Sequence, residues 1–120
     1  MVNENILLIE DEKPVRRFME EALMTMGYSV VSAINGKEGL EVFNRQRDEI
    51  DLVLLDLTMP ELPGETVMNR ILDAVPDTRI ILISGQSREE LLKHTIASGF
   101  LPKPFLLSEL ARVVRSVLDT

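Results

Sequence analysis

The chain has 120 residues, of which 45% are hydrophobic and 28% charged, and we expect residues 1–120 to form one globular domain with a sizeable core. Its 13 Lys and Arg residues stand against 20 Asp and Glu residues, and the resulting net charge of -7 disfavours direct binding to nucleic acid. Without cysteine the chain forms neither disulfides nor thiolate metal sites, and without a long apolar run or a signal peptide pattern we expect it in the cytoplasm rather than in a membrane.

Short apolar runs bounded by turn residues predict five β-strands. They lie at residues 5–9, 28–33, 52–55, 79–83 and 100–101. The first, third and fourth runs show no alternation of polar and apolar residues. We therefore expect these three strands to be buried on both faces of a parallel sheet.

Amphipathic helices are predicted after each of the five strands. The first helix starts at Pro14 and stops at Gly27, and the others are predicted around 39–43, 67–75, 88–98 and 110–118. Strands that alternate with helices form βαβ units with parallel pairing and right-handed crossovers. The predicted fold is therefore an α/β, flavodoxin-like, doubly wound parallel sheet of five strands in the order 2-1-3-4-5, with helices on both faces.

Helical spacing also predicts which individual side chains face the core. Phe18 in the first helix and Ile96 in the fourth helix fall on the inward apolar faces. The single histidine, His94, is expected on the surface of the fourth helix without a chemical role. Arg16 and Arg17 are expected on a solvated face.

Carboxylates follow the two strands that flank the predicted switch point of the sheet. Glu10 and Asp11 come after the first strand, and Asp56 ends the apolar run of the third. An Asp in this position also occurs as a simple helix N-cap. Three carboxylates at one sheet edge repel one another, however, and a hard divalent cation such as Mg²⁺ relieves that repulsion. The sequence therefore predicts a magnesium site formed by Glu10, Asp11 and Asp56.

Two further strand ends carry groups that suit a phosphate. Ser84 follows the fourth strand with a hydroxyl donor, and Lys103 follows the fifth with a cationic one. Taken singly, Ser84 fits a turn or a helix cap and Lys103 fits the solvated surface. Together with the carboxylates they match the needs of phosphoryl transfer, which are a nucleophile, a metal and oxygen-binding donors.

At these positions the chain resembles the receiver domain of two-component response regulators, and the resemblance covers essentially all 120 residues. The motifs that carry it are the acidic group after the first strand, the run Asp-x-x-Met-Pro-x-x-x-Gly at 56–64, Ser84-Gly85, and Lys103-Pro104-Phe105. Each motif is weak by itself. Four strand ends that carry them in this order form a specific signal.

The resemblance implies that Asp56 accepts a phosphoryl group and that Mg²⁺ is the cofactor. Asp11 and Asp56 would bind the ion directly, and the Thr58 backbone carbonyl would add a ligand. Glu10 replaces the more usual aspartate of the family. Its longer side chain is expected to act mainly through water.

The resemblance also implies a phosphate-dependent switch. Ser84 and Lys103 would bind the phosphate, and in this family the peptide bond that matches Lys103-Pro104 is usually cis. Phe100 occupies the position of the family's switch aromatic, which is often Tyr. Movement of the Ser84 hydroxyl toward the phosphate would let Phe100 rotate inward. The face formed by the fourth helix, fifth strand and fifth helix would then carry the signal.

The partners implied by the resemblance are proteins of the same signalling pathway. A sensor histidine kinase or a histidine phosphotransfer domain would donate the phosphoryl group, and an output domain or partner protein would bind the switched face. A homodimer formed on phosphorylation is a further expectation. Gly99 runs directly into Phe100, which is similar to receivers attached to hybrid sensor histidine kinases. Such a domain mainly regulates, with magnesium-dependent self-phosphorylation and slow self-dephosphorylation.

Three alternative functions are compatible with the predicted fold. A flavodoxin-like FMN-binding domain needs a Ser/Thr/Gly-rich loop after the first strand, where this chain has Glu-Asp-Glu-Lys-Pro. A phosphatase of the haloacid dehalogenase type needs a second acid close after its nucleophile, where Leu57 and Thr58 stand, and a longer chain. An interaction domain with a vestigial, non-phosphorylated site would keep the fold without the chemistry.

Overall fold

A computed structural model describes residues 3–85, 93 and 96–120, and it contains all five predicted strands. The strands are β1 (Asn5–Ile9), β2 (Ser29–Ala33), β3 (Leu52–Asp56), β4 (Ile80–Ser84) and β5 (Gly99–Pro102). Asp56 is the last residue of β3, at the strand end where the sequence places it, and Ser84 is the last residue of β4 rather than the first residue after it. Their backbone positions are therefore fixed by the sheet.

Four helices lie within the described residues, and each matches a predicted helix. They are α1 (Lys13–Thr25), α2 (Gly36–Gln46), α3 (Gly64–Ala74) and α4 (Leu107–Leu118). Most of the helix predicted at 88–98, with His94, lies outside the described residues. Within the described part of the chain, no helix is long and apolar enough to cross a membrane.

The predicted inward placement of Ile96 is wrong. Residues 96–98 form a turn that leads into β5, and the Ile96 side chain is 58% exposed. Helical spacing applies only where the backbone is helical, so it gives no direction for a side chain in this turn. Ile96 therefore adds nothing to the core.

The sheet confirms the predicted topology, because all four neighbouring pairs are parallel and the order is β2-β1-β3-β4-β5. In register, Leu7 lies between Val31 of β2 and Val53 of β3, while Asp56 pairs with Ile83 of β4. Parallel strands place their carboxyl ends at one edge of the sheet. The ends of β1, β3, β4 and β5 thus meet where the sequence predicts a site.

Two separate hydrophobic clusters cover the two faces of the sheet. The central strands contribute alternate side chains to each cluster, so every residue of β3 and β4 is buried. One cluster packs against α1 and α4, and the other packs against α2 and α3. The absence of polar alternation in the strand sequences is explained by this double burial.

Helix α1 follows its predicted pattern except at Phe18. Met19 and Leu23 are buried, and the helix is followed by Gly27, whose positive φ of 101° suits a residue without Cβ. Phe18 was expected in the core, but its side chain is 46% exposed. Its ring contacts the ring of Phe105, with centroids 6.5 Å apart, and so lies at the surface beside the carboxyl edge of the sheet. Met19 and Leu23 are the buried residues of this helix, and Phe18 lies outside its buried face.

Candidate functional site

The site is centred on Asp56, whose side chain is fully buried at the end of β3. Oδ1 accepts a hydrogen bond of 2.8 Å from the backbone amide of Thr58, and Oδ2 accepts one of 3.2 Å from Nζ of Lys103. Both oxygens of the carboxylate are therefore held in place. A buried carboxylate with donors on both oxygens is oriented for chemistry or for a metal, and it does not cap α3, which begins eight residues later at Gly64.

The loop after Asp56 is shaped by a tight turn and a close backbone approach. Glu61 has a positive φ of 69°, and the amide of Leu62 donates to the carbonyl of Pro60 over 2.9 Å, which is the pattern of a γ-turn. At Gly64, a Cβ atom would lie 2.6 Å from the Cα of Leu57 and 2.8 Å from the carbonyl oxygen of Asp56. Glycine at the end of the motif thus lets α3 begin directly against the end of β3.

The end of β1 brings two more carboxylates to Asp56. Glu10 is fully buried, and its Oε2 accepts from the amide of Glu12 over 3.2 Å. Asp11 is half-buried, and its Oδ1 atom is buried with no hydrogen-bond partner among the described residues. Ligand oxygens from Glu10, Asp11 and Asp56 all lie within 4.8 Å of one another.

This cluster fits the predicted Mg²⁺ ion. Magnesium prefers carboxylate oxygens together with water and phosphate oxygens, and the cluster offers only oxygen ligands. A buried carboxylate oxygen without a donor, such as Oδ1 of Asp11, is unfavourable unless a cation or water satisfies it. The carbonyl of Thr58 follows Asp56 by two residues in the loop, where the resemblance places a further ligand.

Lys103 lies between two of the carboxylates. Its Nζ is 3.1 Å from Oε1 of Glu10 and 3.2 Å from Oδ2 of Asp56, and its side chain is 20% exposed. Partial burial lowers the pKa of Lys103, but the charges of Asp56 and Glu10 outweigh it and raise the pKa above its ordinary value. The peptide bond between Lys103 and Pro104 is cis, as the resemblance implies.

Glu10 has an altered acidity because of this environment. Burial, followed by the hydrogen bond and the negative charge of Asp56, raises the pKa of Glu10 from 4.5 to about 7. The amide of Glu12 and the ammonium of Lys103 oppose this shift and do not cancel it. Without a bound metal ion, Glu10 is therefore partly protonated near neutral pH.

Ser84 and Phe100 lie on neighbouring strands at the same end of the sheet. Ser84 is fully buried at the end of β4 and pairs with Pro102 of β5, whose next residue is Lys103, and the carbonyl of Ser84 accepts from the amide of Lys103 over 2.7 Å. Phe100 pairs with Leu82 and packs against the cluster on the α2 and α3 face. Because side chains alternate along a strand, Ser84 and Phe100 share this face.

Sequence reasoning missed two residues near the site. The prediction of a solvated Arg16 is wrong, because its guanidinium donates to the carbonyl of Glu10 over 2.9 Å. Arg17 is exposed as expected. The adjacent pair gives no sequence signal that separates the two arginines. Phe18 was also missed, because the exposed ring lines, with Phe105, an apolar groove that reaches Lys103.

The sequence is similar to a known protein family over most of its length. The model of the response regulator receiver domain family matches residues 6–115. The sensor kinase CckA of Brucella abortus is 38% identical over 117 residues, which cover 95% of this chain and 12% of that kinase. The chain thus spans a small part of this relative.

Solved structures are similar over nearly the whole chain. The receiver domain from hybrid histidine kinase CckA has a TM-score of 0.82 at 32% identity and covers 95% of this chain and 98% of its own. The response regulator protein TrrA from Thermotoga maritima, in complex with Mg²⁺ and BeF, has a TM-score of 0.86 at 33% identity, with coverage of 95% and 98%.

The raised pKa of Glu10 predicts a loss of stability as pH rises in the absence of divalent ions. Between the ordinary value of 4.5 and the folded value of about 7, the native state keeps a proton that the unfolded chain has released. The contribution of protonated Glu10 to the free energy of unfolding is therefore complete below pH 4.5 and is lost as the pH rises through 7. Urea unfolding of the wild type and Glu10→Gln across this range measures it.

We expect the stability of the wild type, relative to Glu10→Gln, to decrease with increasing pH. Glu12→Gln is the matched control, because Glu12 is exposed and contributes its backbone amide, not its carboxylate, to Glu10. A difference between wild type and Glu10→Gln that stays constant with pH would contradict the assigned acidity.

Proposed function

The chain belongs to the response regulator receiver domain family, and on this premise we propose that it accepts a phosphoryl group on Asp56 in a magnesium-dependent reaction. The observation that carries the proposal is the position of the Asp56 carboxylate. It is buried beside the carboxylates of Glu10 and Asp11 and bonded to the ammonium of Lys103. A nucleophile, a set of metal ligands and a cationic group that can bind phosphate oxygens thus lie in one cluster.

The proposed reaction transfers a phosphoryl group from a histidine nitrogen of the donor to a carboxylate oxygen of Asp56. A carboxylate oxygen of Asp56 attacks the phosphorus of a phosphohistidine, the phosphorus–nitrogen bond breaks, and the imidazole leaves with the electron pair and takes up a proton. The product is an acyl phosphate. Lys103 and Ser84 would bind its oxygens, with the ammonium already on Asp56. A bound Mg²⁺ ion, held by Asp11, Asp56 and the Thr58 carbonyl, with Glu10 acting mainly through water, would neutralise negative charge during transfer.

The first expected result is phosphorylation at Asp56. Incubation of the chain with acetyl phosphate and Mg²⁺ should add one phosphate, which mass spectrometry detects and which hydroxylamine removes because acyl phosphates react with it. Asp56→Asn removes the nucleophilic oxygen and should abolish labelling. Asp51→Asn is the matched control, because the exposed Asp51 directly precedes the same strand.

This experiment also separates the proposed function from a vestigial interaction domain. A vestigial site predicts no labelling of the wild type at any magnesium concentration. Labelling that persists unchanged in Asp56→Asn would place the acceptor at another residue and refute the assignment.

The second expected result concerns the ranking of the metal ligands. Asp11 has the shorter side chain and a buried oxygen with neither a hydrogen bond nor an ion pair among the described residues, whereas Glu10 is ion-paired with Lys103 and accepts from the Glu12 amide. Asp11→Ala should therefore weaken Mg²⁺ binding by about tenfold or more, and Glu10→Ala by less. Because the chain has no Trp, titration calorimetry is the suitable measurement. Glu12→Ala should bind like the wild type, and a larger effect for Glu10→Ala than for Asp11→Ala would refute the ranking.

We also propose that phosphorylation shifts the population of a switch built from Ser84 and Phe100. Phosphate on Asp56 offers the Ser84 hydroxyl a charged acceptor, and movement of Ser84 gives Phe100 space on the face that they share. Phe100 is half-buried and lacks the hydroxyl with which Tyr could fix either position. The change would be transmitted to the surface of β5 and α4; the helix predicted at 88–98, which the resemblance adds to this face, lies mostly outside the described residues.

The third expected result is a distant spectral change. Aromatic and amide NMR spectra with and without beryllium fluoride and Mg²⁺ should show shifts at Phe100 and in α4 as well as near Asp56. Ser84→Ala should still bind the phosphoryl mimic and lose most of the shift at Phe100. Shifts confined to the surroundings of Asp56 in the wild type would rule out the switch.

The wider assignments follow from the same proposal. We propose that residues 1–120 form one receiver domain, located in the cytoplasm, and that a sensor histidine kinase or histidine phosphotransfer domain is its phosphodonor. The donor must cover Lys103 to reach Asp56 and would therefore also cover the apolar groove at Phe18 and Phe105. We further propose that an output partner binds the switched face and that phosphorylation favours a homodimer. We also propose that the domain is attached to a hybrid histidine kinase.

A further inference from the structure

Arg16 joins the first helix to the main chain of the two acidic residues after β1. Its Nη1 atom donates to the carbonyl of Glu10 over 2.9 Å and reaches the carbonyl of Asp11 over 3.4 Å. The side chain of Arg16 is half-buried, whereas that of Arg17 is exposed. Within the described part of the chain, Arg16 donates to these carbonyls and forms no ion pair with the carboxylates. The guanidinium therefore holds the backbone that carries the acids.

The Asp11 carboxylate depends on this backbone more than the other two carboxylates do. Glu10 is held by the Glu12 amide and by Lys103, and Asp56 is held by the Thr58 amide and by Lys103. Oδ1 of Asp11 is buried and has no hydrogen-bond partner among the described residues. Its direction is consequently set by the peptide planes on either side of it.

We propose that Arg16 is a positioning residue that aims the Asp11 carboxylate into the cation site. By binding the carbonyls of Glu10 and Asp11, the guanidinium fixes the turn from which the Asp11 side chain projects. This inference rests on the proposed function, in which Asp11 is a direct ligand of Mg²⁺. It gives Arg16 a role without contact to metal or phosphate.

An electrostatic role and a positioning role for Arg16 predict opposite changes in Mg²⁺ affinity when the side chain is removed. A guanidinium near the site repels a divalent cation, so the removal of its charge should by itself tighten Mg²⁺ binding. Loss of the support to Asp11 should weaken binding, because a ligand with an unfixed direction must be ordered by the ion itself. The sign of the change therefore distinguishes a positioning role from a simple electrostatic one.

The test is titration calorimetry of the full chain with Mg²⁺, comparing the wild type with Arg16→Ala, Arg16→Lys and Arg17→Ala. Arg16→Ala should weaken Mg²⁺ affinity by about tenfold, as the removal of an outer support of a metal ligand commonly does. Arg16→Lys should recover only part of the loss, because the lysine side chain is one atom shorter than the path to Nη1 and its ammonium reaches the two carbonyls less well. Arg17→Ala removes the same charge from an exposed neighbour and should leave the affinity unchanged or slightly tighter.

Two further measurements separate positioning from unfolding and from failure of the chemistry. In labelling by acetyl phosphate, Arg16→Ala should raise the Mg²⁺ concentration for half-maximal rate while the rate at saturating Mg²⁺ stays near that of the wild type. Without Mg²⁺, hydrogen exchange at the Glu12 amide, which bonds to Glu10, should be faster in Arg16→Ala than in Arg17→Ala. Arg16→Lys provides the comparison if Arg16→Ala does not fold.

Equal or tighter Mg²⁺ binding by folded Arg16→Ala, compared with Arg17→Ala, would overturn the inference and leave the proposed function intact. A wild type that neither binds Mg²⁺ nor accepts phosphate would instead refute the proposed function and, with it, the role of Arg16 toward a metal ligand. The amide exchange then still reports whether Arg16 fixes the turn.

Discussion

A single ammonium group between two buried carboxylates is the constraint on which the rest of the site depends. Lys103 lies within 3.2 Å of both Glu10 and Asp56, and neither carboxylate is exposed to solvent. Each buried carboxylate would otherwise be destabilising by several kcal/mol, which is the usual magnitude for an unpaired buried charge. Because these three residues come from the ends of β1, β3 and β5, their ion pairs join the centre of the sheet to its edge.

The edge strand β5 is the element most directly coupled to the charge of Asp56. Strand β5 has four residues, and the Lys103 that follows it is bound both to the acids and, through its amide, to the carbonyl of Ser84. Any change in the charge of Asp56 alters the attraction on Lys103 and is therefore felt by β4 and β5 together. Phe100, three residues before Lys103, lies on the strand that would receive this change under the proposed switch. Short edge strands have few packing contacts to resist such a shift.

The sequence was sufficient for the fold because apolar patterning and sheet topology depend on local rules. Runs such as 52–55 carry no polar residue, and the resulting double burial admits only a parallel sheet covered on both faces. The convergence of Glu10, Asp11, Asp56 and Lys103 follows from strand order and needed no side-chain detail. Arg16 and Phe18 were misjudged because helical periodicity gives an approximate direction and cannot decide between neighbours at the margin of a helix face. The raised pKa of Glu10 also depends on burial and on interatomic distances that sequence spacing does not provide.

The charge balance gives a physical reason why a cation should precede the phosphoryl group. The cluster contains three carboxylates and one ammonium, which contacts two of them, so the carboxylates outnumber the cation even when Glu10 holds a proton. An incoming phosphoryl group is repelled by this charge, and Lys103 is already bound to the acids and not free to compensate. A dication at the ligand oxygens would displace the proton from Glu10 and weaken the hold of the acids on Lys103. The same ammonium would then be available to the phosphate, without a new residue entering the site. Under the proposed function, a cation in this cluster would thus decide whether Lys103 stays with the acids or is available to a phosphate.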